Sequence, residues 1–391
     1  MNIFFLEWNS FCNEDMCEIL KDMGHRVISI PFRRLESTRV EMEDKLQKAL
    51  GKSDCDFLFS FNYFPMISDL CQKCGIKYVS WVYDSPYIHV YSYTVLNSCN
   101  YIFLFDRAMY EELNGAGIST VYYLPLGVNA KRMRRLTKQS LSMIQRYRGE
   151  ISFVGGLYTE QKQQLYQKFQ TMNEYTKGYL DGIMQAQMCV QGYNFIQEML
   201  TDEVLAEMEK AYPTDPNAST VLPPAELYAD YVLAREVTAL ERQKVLELLG
   251  REHAIKLYTY NEKTNIPGVQ NMGKVDYYNE MPYVFRNSKI NLNITLRSIK
   301  TGIPLRAWDI MGNGGFLLTN YQAELLDYFE PGKDFVYYED MDDLREKVSY
   351  YLNHEEERKM IAENAMEKVC REHDLTGRIF EMLKIVMGNN V

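Results

Sequence analysis

Short apolar runs alternate with amphipathic stretches from the first residue onward. Asn2–Trp8 (NIFFLEW) is apolar enough for a strand buried on both faces. The next stretch, CNEDMCEILKDMG, repeats its apolar positions with helical spacing and ends at Gly24. The pattern recurs: strands at HRVISIPF, CDFLFSF, IKYVSWVY, NYIFLFD and TVYYLPLG, with helical segments EMEDKLQKAL, MISDLCQKCG and RAMYEELNGAG between them. Strands separated by helices predict an α/β domain built on a parallel, doubly wound sheet. Ligands of such sheets lie beyond the C-terminal ends of the strands. That rule selects Trp8, Asn9, Asn62, Tyr63 and Asp84, with Asp106, Arg107, Gly127 and Asn129 at the later strand ends.

A polar, basic passage follows, and EISFVGGLY then opens a second strand–glycine–helix series. From about 158 to 250 no strand signal is convincing. FIQEMLTDEVLAEMEKAY and AELYADYVLAREVTALERQKVLELLG read as helices on either side of the turn-rich PTDPNASTVLPP. Alternation resumes with AIKLYTY, GVQNMGKV, SKINLNIT, GFLLTN and DFVYYED, and the tail beyond Met341 is mostly helical. The expected organisation is a first doubly wound domain over 1–130, a linker over 131–150, and a second domain over 151–391 with a helical insertion. The length of 391 residues agrees with more than one core.

Composition narrows the chemistry. The net charge of −10 argues against nucleic acid as a partner. The basic run Lys131–Arg135 is a solvated interdomain segment or a peripheral contact with anionic lipid. No apolar run reaches eighteen residues, so no transmembrane helix is expected. The N-terminus lacks the pattern of a secretory signal, and the eight scattered cysteines fit free thiols in a cytoplasmic protein. Cys71 and Cys74 form a lone C-x-x-C on a helix, without the second pair that zinc would need. Asp340-Met341-Asp342 opens a helical segment, where acidic residues suit the helix N-terminus, and is read as structural rather than as a metal motif. No metal and no cofactor are expected.

The densest chemistry lies in IPLRAWDIMGNGGFLLTN. Arg306 and Asp309 are three residues apart and share a helix face. A guanidinium neutralises phosphate, and a carboxylate accepts from both hydroxyls of a ribose. Gly314 and Gly315 would let backbone approach a ligand closely. The competing reading is a surface Arg paired with Asp309 itself. Arg297 and Lys300, after SKINLNIT, would add positive charge. Gly155 and Gly156 would admit a phosphate at a helix N-terminus, or would simply form a tight turn. In the first domain, Asp84 ends an apolar strand before Pro86. It is the candidate general base, with His89 as a substitute; the alternative for Asp84 is a turn cap. Trp8, Asn9, Asn62 and Tyr63 are candidate acceptor contacts.

These strings resemble the GT-B glycosyltransferases. Gly24-His25-Arg26-Val27 is similar to their entry to the second strand, Leu124–Asn129 to the segment that closes the first domain, and Ser152–Gly156 to the strand that opens the second. Arg306-Ala307-Trp308-Asp309 with Gly314–Thr319 resembles the CgeB-like group (spore maturation proteins), which is related to the group 1 glycosyltransferases. Trp81–Pro86 is also similar to that group's N-terminal domain. The resemblance implies two Rossmann-like domains facing a cleft and a bacterial, metal-independent transferase. It would move a sugar from a nucleoside diphosphate, most plausibly UDP, to a glycan or protein. It also implies that Gly273, Lys274 and Val275 lie beside the nucleobase. Two departures stand out. Group 1 enzymes carry two glutamates separated by seven residues; Asp309 matches the second, and Thr301 stands at the first. The Arg that often follows the opening strand is replaced by Gly156. A non-catalytic glycan- or partner-binding subunit, or a nucleotide-sugar epimerase, stays open. The sugar, acceptor, stereochemical outcome and oligomeric state are not legible.

Overall fold

A computed structural model describes residues 1–33, 37–52, 54–136, 139–214 and 220–388. Parts of the expected linker (137–138) and of the turn-rich segment (215–219) lie outside them. Among the described residues there are two six-stranded, wholly parallel sheets. The first contains β1 (Asn2–Glu7), β2 (Arg26–Pro31), β3 (Phe57–Phe61), β4 (Lys77–Val82), β5 (Asn100–Leu104) and β6 (Val121–Tyr123) in the order β2-β1-β3-β4-β5-β6. The second contains β7 (Gly149–Val154), β8 (Ile255–Tyr258), β9 (Val269–Asn271), β10 (Ser288–Asn293), β11 (Leu317–Asn320) and β12 (Val336–Tyr338) in the order β12-β11-β10-β7-β8-β9. Central strands are largely buried: every residue of β3 is, and so is Phe4 of β1. Helices cover both faces, which is why these runs are apolar without alternation.

The strand orders place the functional edges. In the first sheet the chain runs from β1 outward to β2, then continues from β3 on the other side of β1. In the second it runs outward from β7 through β9, then restarts at β10 beside β7. Helices therefore cross opposite faces at these points, and crevices open beyond the C-terminal ends of β1/β3 and of β7/β10.

The chain divides into two compact units. The first is Met1–Asn129 with the segment around Thr220 and the C-terminal stretch from His373; the second runs from Ala130 to Glu372, apart from that segment. The return of the tail was not anticipated, because the second domain was expected to run to the end of the chain. Backbone pairing fixes it: Val128 N donates to His373 O (3.1 Å) and Leu375 N to Val128 O (2.8 Å). Gly127 must be glycine here, since a Cβ would lie 2.3 Å from His373 O. Lys77 Nζ then caps the last helix (Leu375–Met387) by donating to Val386 O at 2.6 Å.

Within the second unit, a helical block follows β7. It includes the helices Glu174–Met188 and Asp202–Ala211 and has its own core, with Phe169, Leu180, Met184, Met208 and Tyr228 fully or almost fully buried. The expected single helix from Phe195 is broken, because Thr201 caps a new start by accepting from Val204 N. The insertion also ends sooner than expected. The helix Ala234–Gly250 packs Val245, Leu246 and Leu249 into the core of the second sheet, so it is that sheet's own crossover helix.

Candidate functional site

At the end of β7 the backbone turns through Gly155, whose φ of +155° is open only to glycine. Glycine is required for a second reason: a Cβ there would lie 2.3 Å from Nη2 of Arg306. Arg306 stands in the first turn of the helix Leu305–Gly312 and lies back across the strand end. Its Nη1 donates to Asn293 Oδ1 (3.2 Å) at the end of β10, and its guanidinium sits 5.1 Å from the Phe153 ring centroid. Asn293 is fixed in turn, donating to Thr295 and Thr319 hydroxyls at 3.0 Å each.

A second guanidinium shares that ring, 5.4 Å from the Phe153 centroid. Arg242, buried on the helix Ala234–Gly250, donates through Nη1 to Gly156 O (2.6 Å). Its Nε and Nη2 donate to Ile294 O (3.2 and 2.6 Å). It thereby ties the end of β7 to the end of β10. Among the described residues, no carboxylate forms an ion pair with Arg306 or Arg242. Burial, and then the charge of Arg242, pull the Arg306 pKa down to about 9. Two cations are thus held close together in a poorly solvated corner. Their repulsion is relieved by an anion, and donors on fixed scaffolding suit an oxyanion or phosphate.

Asp309 lies one turn further along the Arg306 helix. It is buried, and its Oδ1 accepts from Tyr277 OH at 3.1 Å. Tyr277 and Tyr278 also flank the Arg132 guanidinium, with centroids at 5.3 and 5.2 Å. Gly273, with φ +73°, follows β9, and its carbonyl accepts from Thr259 N (3.0 Å) beyond β8. Lys274 beside it is exposed and Val275 half-buried.

Several sequence expectations need correction. Gly314 and Gly315 do not sit beside Arg306. They follow the far end of its helix, about 12 Å away at 1.5 Å per residue, and precede β11, at the N-terminal rather than the C-terminal end of the strands. A Cβ on Gly315 would lie 2.8 Å from Phe285 O and Asn291 Nδ2, so glycine serves close packing there. Arg297 is not an open charge. It is buried in a bidentate pair with Glu241 (Nε–Oε2 2.9 Å, Nη2–Oε1 2.8 Å), and its Nη1 donates to Val190 O (2.9 Å). Lys300 lies 3.8 Å from Asp230 of the helical block. Arg306 does not pair with Asp309.

In the first unit, Asp84 is exposed just beyond β4, and its Oδ2 accepts from Asn62 Nδ2 at 2.8 Å. Asn62 is fully buried in the left-handed region (φ +57°), and its Oδ1 accepts from Tyr83 N at 3.1 Å. It holds the Asp84 turn rather than offering itself to a ligand. Tyr63 is also a core residue: it is fully buried, stacked on Tyr78, and donates to Thr94 Oγ1 (2.8 Å). Burial pushes its pKa up to about 12. Trp8 is half-buried and donates to Phe61 O (2.8 Å), while Asn9 is exposed. His89 lies in the turn Ile88–Tyr91, with its ring 5.2 Å from that of Tyr87.

Asp340 caps its helix by accepting from the amides of Asp342 and Asp343 (2.9 and 2.8 Å). Among the described residues, no group of three His, Cys, Asp or Glu side chains is placed to hold a metal ion, and no helix is long and apolar enough to cross a membrane.

Arg242, Asn293 and Tyr277 were missed from sequence. For Arg242 a signal existed: it is an arginine on the buried face of an amphipathic helix, set among Thr238, Val245 and Leu246.

Comparison with known proteins fits this geometry. Residues 234–384 match the family described as Glycosyl transferase-like, a span that begins at the Arg242 helix and contains Arg306 and Asp309. No curated protein matches the chain by sequence. Among solved structures, HepE of Anabaena in complex with UDP and glucose is similar at a TM-score of 0.53 and 10% identity, covering 99% of both chains. A glycosyltransferase of Rickettsia africae gives 0.54 and 11%, over 100% of this chain and 99% of that one. Sucrose-phosphate synthase of Thermosynechococcus elongatus gives 0.52 and 10%, over 99% and 98%. At these identities the likeness establishes the fold, which is GT-B: two doubly wound domains, each on a parallel sheet. The family match and the fold together support a glycosyltransferase.

Proposed function

We propose that this chain is a metal-independent glycosyltransferase whose second unit binds a nucleoside-diphosphate sugar, UDP-linked, and whose first unit binds a glycan or protein acceptor. One observation carries the reading. Two guanidinium groups, that of Arg242 buried and that of Arg306 half-buried, converge without carboxylate partners among the described residues at the switch point between β7 and β10. A diphosphate is the dianion that fits such a pair. The leaving group gains negative charge as the glycosidic bond breaks, so fixed cations stabilise the transition state more than the bound donor. This also answers the departure at Gly156: the charge expected on that residue arrives from Arg242, which grips the Gly156 carbonyl. Arg306 and Arg242 neutralise the diphosphate. Asp309, oriented by Tyr277, accepts from the ribose hydroxyls, and the base lies toward Gly273. HepE and an α-glucosyltransferase of similar fold are known with UDP-glucose, which favours uridine.

Asp84, exposed and braced by Asn62, takes the proton of the acceptor hydroxyl. The likeness of Arg306–Asp309 and Gly314–Thr319 to the CgeB-like group supports membership of that group, and the free cysteines suit residence in the cytoplasm. Calorimetric titration with UDP tests the donor site, and release of UDP from UDP-sugars tests turnover. Saturable UDP binding together with release is the expected outcome; no binding of any nucleoside diphosphate would sink the assignment. Asp84→Asn should lower transfer by about 10²–10⁴-fold and leave UDP affinity unchanged.

A further inference from the structure

The helical block has a role that its separate core does not require. Its turn Cys189–Asn194 stands over the C-terminal ends of β10 and β11. Val190 O accepts from Arg297 on the loop after β10, and a Cβ on Gly192 (φ +74°) would lie 2.7 Å from the Tyr321 ring after β11. From within the block, buried Gln187 holds the same turn, donating to Tyr193 O (2.8 Å) and accepting from Phe195 N (3.0 Å). The turn is therefore clamped from both sides. Between the clamps sits Gln191, whose Oε1 is buried and accepts no hydrogen bond. An orphaned amide oxygen destabilises the fold unless something donates to it.

The donor's own shape says what that donor is. A nucleotide sugar is a chain of base, ribose, diphosphate and glycosyl group. On the donor-site reading above, the base and ribose take the β8/β9 side and the diphosphate sits over β7/β10. The glycosyl group is then left for the β10/β11 side, under this turn. A neutral amide oxygen repels phosphate oxygens but accepts from a sugar hydroxyl. We infer that the turn Cys189–Asn194 of the helical block forms the wall of the glycosyl subsite, with Gln191 as a specificity-determining residue that accepts from a hydroxyl of the transferred sugar.

The test measures kcat/KM for UDP release from UDP-glucose, UDP-galactose and UDP-N-acetylglucosamine, alongside UDP affinity. Gln191→Leu keeps the volume and removes the acceptor. It should change the ratios among the three donors by about tenfold while UDP affinity stays within about twofold. Gln191→Glu retains an acceptor and should keep the wild-type ranking, even if all rates fall together. Intact UDP binding with donor ratios unchanged in Gln191→Leu overturns the inference and leaves the donor site standing. Failure of the wild-type chain to bind UDP overturns the donor reading and this inference with it. Circular dichroism of both variants separates a lost contact from a lost fold, and a Gln191→Glu chain that folds but loses the ranking also counts against the role.

Discussion

Arg297 and Arg306 lie nine residues apart in sequence near the C-terminal rim of the second sheet, the first buried and the second half-buried. Arg297 has a carboxylate on two of its nitrogens and a backbone carbonyl on the third. Arg306 has one neutral amide oxygen, an aromatic face and a second arginine for company. The same side chain is a structural rivet in one case and an unneutralised charge in the other. Burial alone therefore says little about a guanidinium; the identity of its counter-charge decides between holding the fold and awaiting a ligand.

The sharpest way to break this contrast is to remove the rivet. Arg297→Ala leaves Glu241 buried and unpaired, and should cost about 3–5 kcal/mol of stability, read by chemical denaturation. A smaller loss, with UDP binding abolished instead, would move Arg297 into the ligand site. Next comes Arg306→Leu, which should weaken UDP binding by about 10–100-fold. The unliganded melting temperature should not fall, because the change removes a repulsion as well as a contact. A double-mutant cycle on Arg306 and Arg242 should show an unfavourable coupling of about 0.5–1 kcal/mol without UDP that disappears when UDP is bound. The smallest effect is ionic. Raising salt from 0.05 to 0.5 M, an arbitrary roughly tenfold step, should weaken UDP binding by about two- to fivefold and leave the Arg297→Ala stability deficit nearly unchanged, since buried pairs are poorly screened.

The strands were legible because a buried parallel strand is a dense apolar run between breakers, and IKYVSWVY or SKINLNIT shows this locally. That Arg306 and Asp309 share one helix was legible for a similar reason, since three residues span about one turn. Two failures involve partners far apart in sequence. Arg242 reaches Gly156 across 86 residues and Arg297 pairs with Glu241 across 56, and no local pattern encodes either meeting. Arg242 was also hidden by being assigned to the insertion, since the helical block and the crossover helix run on without a polar break. Gly314 and Gly315 mislead because adjacency in sequence is not adjacency in space: most of a helix separates them from Arg306. Tyr63 misled because the residue after a strand need not face the crevice; here its ring turns back onto Tyr78.

The place at which the helical block interrupts its sheet has a consequence for synthesis. β7 pairs with β8 and β10, whose partner residues lie about 100 and about 140 positions downstream. While the chain is being made, β7 leaves the ribosome long before either neighbour exists, as an apolar edge with unpaired amides. The block that follows has a core of its own and can condense at once. An early-formed helical cap beside a waiting strand would shelter it from other nascent chains, so cutting the block out should harm yield during translation more than it harms the finished protein.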